Sequence, residues 1–161
     1  MRIIAAFAGT GKSFLAKMFP DKYIDFVCMP YKYYLPDNFD ENESESRKAD
    51  SSNEMCECYP ENYVAAIKQN LAETDKILII PSDSWVLEWL KIEEIPYLLC
   101  YPENTQESKD EYEKRYIQRG NSERFIEIFI GGWEYFFRHL EHDTYGKPII
   151  MKPNEFLSDV V

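Results

Sequence analysis

Nothing in the 161-residue sequence approaches the roughly 20 consecutive apolar residues that a membrane helix requires, so a helical span is excluded. The apolar opening MRIIAAFA runs into a glycine loop rather than a longer apolar stretch with a cleavage site, which argues against a secretory leader and gives a cytoplasmic expectation. Cysteine is scarce. An apolar content of 45% supplies a core for one domain over residues 1–161 without disulfide staples, so Cys28, Cys56, Cys58 and Cys100 are expected as free thiols. Cys56 and Cys58 flank one residue, tighter than zinc spacing, and no second ligand pair follows. Positive charge is also short, with 18 Lys and Arg against 29 Asp and Glu. The net charge of −11 disfavours a nucleic-acid partner, whose binding draws on clustered Lys and Arg. Much of the excess is local. Residues 37 to 58 hold eight acids against Arg47 and Lys48, and this polar segment reads as an acidic loop insertion. The remainder is mild enough to leave room for a basic pocket.

Short apolar runs alternate with helical patterns along the rest of the chain. Strands are expected at 2–7, 23–28, 76–80, 97–101 and 148–151, and helices at 13–19, from Pro60 to about Asp75, from Ser82 or Ser84 to Ile92, at 106–119 and at 122–142. In the last helix Phe125, Phe129, Trp133, Phe136 and Leu140 form one stripe, interrupted by Gly131 and Gly132. The tail NEFLSDVV is expected to add one closing turn. Strands alternating with helices imply a three-layer α/β/α domain with a mostly parallel sheet of about five strands. Its ligand site belongs beyond the carboxyl ends of those strands.

The string AFAGTGKS stands where such a site would form, directly after the first strand and opening the first helix. Glycines let main-chain N–H groups turn toward a phosphate, and the helix N-terminus adds its dipole. Ala8, Gly9, Thr10, Gly11, Lys12, Ser13 and Phe14 are therefore the candidate residues for a nucleoside triphosphate, with ATP and Mg²⁺ as the expected ligands. Lys12 reaches the outer phosphates and the Ser13 hydroxyl holds Mg²⁺. The full pattern begins with glycine where this chain has Ala6, a mild change if that residue is extended. Phe7 follows, positioned either to touch a base or to pack.

On these residues the chain resembles the nucleoside-monophosphate-kinase-like branch of P-loop kinases, which includes adenylate, thymidylate and shikimate kinases. It is also similar to short kinase-like proteins of bacteria and phages. The specific likeness covers residues 2 to 17 and the rest is architectural. AGTGKS resembles AAA-type ATPases as well, but KILIIPSDS lacks their Asp-Glu strand end and leaves Asp83 as the nearest acid. The likeness implies ATP-dependent transfer of the γ-phosphoryl group to a small acceptor, a nucleoside or nucleotide, with a lid-like segment at 103–121. Arg115 and Arg119, four apart on one helical face, are the candidate cations for the transferring group, with a Glu111–Arg115 pair on a solvated helix as the alternative. Asp25, late in the second strand, is the acceptor-side candidate or else a surface acid. Lys12, Asp25, Arg115 and Arg119 form the expected catalytic set. The competing reading is a nucleotide-binding switch that recruits a protein partner without transferring a phosphoryl group.

Overall fold

A computed structural model describes residues 1–34 and 54–161. Residues 37–53 of the expected acidic insertion lie outside the described residues. Five strands, β1 (Ile3–Ala6), β2 (Tyr23–Asp25), β3 (Ile77–Pro81), β4 (Leu98–Pro102) and β5 (Lys147–Met151), form one sheet in the order β2-β3-β1-β4-β5. Every pairing is parallel. A parallel sheet must bury both faces, and the side chains divide accordingly. Ile3, Ala5, Leu78, Ile80, Leu99 and Tyr101 point to one core, while Ile4, Ala6, Ile79, Cys100 and Met151 point to the other.

The larger core is closed by α3 (Glu61–Glu73), through Tyr63, Val64 and Ile67, and by α4 (Ser84–Ile92), through Val86, Leu87 and Leu90. Full burial of an aliphatic side chain of this kind contributes about 1.5–3 kcal/mol. On the opposite face α1 (Lys12–Met18) contributes Leu15, and the terminal α8 (Leu157–Val160) contributes Leu157. The remaining helices are α2 (Met29–Lys32), α5 (Gln106–Gln118), α6 (Glu123–Ile126) and α7 (Trp133–Glu141).

The differences from expectation have local causes. β2 stops at Asp25 because the Cys28 carbonyl starts a helix, accepting from the Tyr31 and Lys32 amides at 2.9 Å each; Pro30 lies in its first turn, where the missing N–H costs nothing. β3 runs one residue past the expected end, to Pro81 opposite Ala6, and the Ser82 amide adds a bond to the Ala6 carbonyl at 3.2 Å. The cap of α4 is neither Ser82 nor Ser84 but Asp83, whose carboxylate accepts from the Trp85 amide at 3.0 Å.

The expected bend at Gly131 and Gly132 is a π-helical turn, Glu127–Gly131, between α6 and α7. A Cβ on Gly132 would lie 2.4 Å from the Ile128 carbonyl oxygen, so glycine is required there. The turn keeps the aromatic stripe in register around Phe7. That ring is 1% exposed and meets Phe129, Trp133, Phe136 and Phe137 edge to face. Phe7 therefore packs and is withdrawn from any ligand.

Candidate nucleotide site

The carbonyls of the loop after β1 are all engaged by protein donors. Lys12 Nζ donates to the Ala6 and Phe7 oxygens at 3.1 and 3.0 Å, and the Thr10 hydroxyl also donates to Phe7 at 2.8 Å. The Ala8 carbonyl accepts from the Tyr116 hydroxyl at 2.9 Å, that of Thr10 from the Leu157 amide at 2.8 Å, and that of Gly11 from the Leu15 amide at 3.0 Å. With the oxygens engaged, the N–H groups are left for a ligand. Among the described residues no main-chain N–H from Ala8 to Phe14 has a protein acceptor. Gly9 and Gly11 make this turn with φ of +85° and +91°, a region that side-chain-bearing residues avoid. Ala6, by contrast, is the buried last residue of β1, so its methyl group obstructs nothing.

Two oxygen donors stand beside this loop. The Ser13 hydroxyl, in the first turn of α1, donates to the Asp25 carboxylate at the carboxyl end of β2. A hydroxyl next to a carboxylate is a hard donor set that fits Mg²⁺, whose other positions go to phosphate oxygens and water. Asp83, the nearest acid after β3, is instead paired with Lys32 at 2.7 Å.

A cleft of about 490 Å³ opens from the loop, walled by Gly11, Phe14, Arg115, Gln118, Arg119 and Phe156. Arg115 and Arg119, expected as a pair, have different situations. Arg119 is exposed on the cleft wall. Arg115 is 6% exposed and serves as a tie, donating to the Pro153 carbonyl at 2.6 Å, twice to that of Glu155 at 3.2 Å and once to that of Gly9 at 3.4 Å. Its guanidinium also lies between the rings of Phe156 and Tyr112, at 4.1 and 4.6 Å from their centroids. Glu111 remains at 3.4 Å, so the expected pair exists, but on a buried rather than a solvated face. The expected lid over 103–121 is occupied by α5, seated on the larger core through Tyr112 and Tyr116, with its last turn reaching the cleft. Phe156 was invisible to sequence reasoning, because nothing in NEFLSDVV marks one residue as a cleft wall.

A second cleft, of about 370 Å³, opens beyond the carboxyl end of β3. Lys32, Ser82, Asp83, Trp85, Tyr135 and His139 are among its lining residues. It borders the phosphate loop because the Ser82 amide and Lys12 Nζ share the Ala6 carbonyl. Burial by itself would lower the Lys32 ammonium, but the Asp83 carboxylate outweighs it and raises the group above its ordinary value. The indole of Trp85 and the phenol of Tyr135 are each more than half exposed, leaving two rings open at the rim.

No protein-family model matches this chain, and no curated protein sequence does. Its fold is similar to that of a gluconokinase from Sinorhizobium meliloti 1021, with a TM-score of 0.51 over 99% of this chain and 85% of that one, at 12% identity. With that neighbour and the sheet order above, the chain has the three-layer α/β/α fold of P-loop proteins.

Proposed function

We propose that the chain is an ATP-dependent kinase of a small molecule, with a nucleoside or nucleotide as the favoured acceptor. The observation that carries this reading is that, among the described residues, the amides from Ala8 to Phe14 have no protein acceptor while the carbonyls from Ala6 to Gly11 are all engaged. Such a cradle takes a polyphosphate, and Lys12 needs only to swing from two carbonyl oxygens to reach it. The triphosphate then lies along the loop with its base in the first cleft, against Phe156 and Arg119. Ser13, its hydroxyl oriented by Asp25, would hold Mg²⁺, which when bound neutralises charge on the phosphate oxygens.

The second cleft is the acceptor's place in this reading, since its wall residue Ser82 is bonded to Ala6 at the start of the loop and it offers Trp85 and Tyr135 to a planar ring. An acceptor hydroxyl attacks the γ-phosphorus, its proton passes to the Asp25 carboxylate, and the bond to the bridging oxygen breaks with its electron pair leaving on ADP. Arg119 supplies an exposed cation to the departing charge. Lys12→Ala should abolish transfer of labelled γ-phosphate to every member of a nucleoside and nucleotide panel that the parent protein phosphorylates. Undiminished transfer by that variant would refute the proposal.

One observation favours the alternative of a binding switch. Arg115 is committed to carbonyls of the C-terminal loop, so fewer cations face the phosphates than the sequence implied. In that case the parent protein binds ATP and phosphorylates nothing in the same panel.

A further inference from the structure

Cys56 and Cys58, too close in sequence for a zinc pair, are brought together by the fold. Their sulfurs are 2.6 Å apart, approaching the roughly 2.05 Å of a disulfide, and both are free thiols. The hydrogen bond from Cys58 holds the Cys56 thiol below its ordinary value, with a further contribution from Tyr34, while the same contact raises Cys58. A thiol with thiolate character beside a second thiol is the arrangement of a redox pair. Cys56 is buried and Cys58 exposed, so the pair meets solvent on the Cys58 side. Burial pushes the Cys100 thiol up to about 12, away from thiolate character.

The pair also sits where a change would be felt. The Cys56 amide donates to the Lys32 carbonyl at 2.8 Å, the Tyr34 amide donates to the Glu54 carbonyl at 2.9 Å, and Tyr33 bridges to Met55. Lys32, Tyr33 and Met55 all line the second cleft. We propose that Cys56 and Cys58 are a redox-active dithiol, oxidised by hydrogen peroxide to a disulfide that closes the Cys56–Cys58 turn where that turn hydrogen-bonds α2 at the rim of the cleft. The Cys56 thiolate attacks one peroxide oxygen and the O–O bond breaks, giving a sulfenic acid and hydroxide. The Cys58 sulfur then attacks the Cys56 sulfur and the S–O bond breaks. The proton of each thiol leaves in a water molecule, so two thiols and one peroxide give one disulfide and two waters.

The test titrates the reduced full chain with hydrogen peroxide, blocks remaining thiols with iodoacetamide and digests with trypsin. The peptide of residues 49–68 carries both cysteines. It should lose both alkylation sites together before Cys28 or Cys100 reacts. In Cys58→Ala the same peptide should instead accumulate a dimedone-reactive sulfenic acid, and the pH midpoint of Cys56 alkylation should move upward. Prior consumption of Cys28 or Cys100, a bridge from Cys56 to Cys28, or an unmoved midpoint would overturn the site. Hydrogen exchange tests the effect on the turn: the Cys56 amide, bonded to the Lys32 carbonyl, should exchange at least about threefold more slowly in the oxidised chain, and equal rates would overturn that part.

Discussion

Replacing Arg115 separates two roles that the sequence cannot distinguish. If its guanidinium is a tie, Arg115→Ala removes two well-placed charge-assisted bonds, to Pro153 and Glu155, and the stacking on Phe156. Bonds to a charged group contribute about 1.5–3 kcal/mol each, and the freed carbonyls lie beside an open cleft where water can recover part of that. A loss of about 3 kcal/mol follows. For a chain of this length, that corresponds to a melting temperature lower by about 6–12 °C. Calorimetric melting measures it, and deletion of residues 153–161 should abolish most of the difference between Arg and Ala at position 115. The opposite pattern, an unchanged melting temperature with nucleotide turnover lost, would refute the tie and return Arg115 to the phosphates.

Two further perturbations bear on the phosphate loop. Ser13→Ala should raise the Mg²⁺ concentration needed for half-maximal turnover by about tenfold while leaving the melting temperature within about 2 °C, because an exposed hydroxyl contributes little to stability. Unchanged magnesium dependence would count against the metal assignment. Gly9→Ala should destabilise the chain by about 2–4 kcal/mol in denaturant titration, since its Cβ would sit 2.8 Å from Tyr116 Cε1 at a φ of +85°, and Tyr116 is fully buried and has nowhere to move. A neutral effect would mean that the loop backbone differs from the one described.

What could be read from the residues was the part governed by short range. AFAGTGKS announces its own turn because strand, glycines and helix start are adjacent, and KILII declares a buried strand by composition. Asp25 was placed near the loop on likeness to similar kinases, and the contact with Ser13 brings the two together. The rest depends on partners far apart in the chain. Arg115 looked like a free cation because the carbonyls that hold it come 38 and 40 residues later. Lys32 and Asp83 pair across 51 residues, so no spacing rule could have built the second cleft. Cys56 and Cys58 were judged on zinc spacing, which says nothing of a thiol that meets its neighbour directly.

The most direct measurement is isothermal titration of the chain with a non-hydrolysable ATP analogue and Mg²⁺, in parallel with Lys12→Ala. The amide cradle predicts saturable heat for the parent chain at one site and affinity at least about tenfold weaker for the variant, measured where both chains are folded. The absence of heat with any purine triphosphate, or equal affinity in the two proteins, would contradict it.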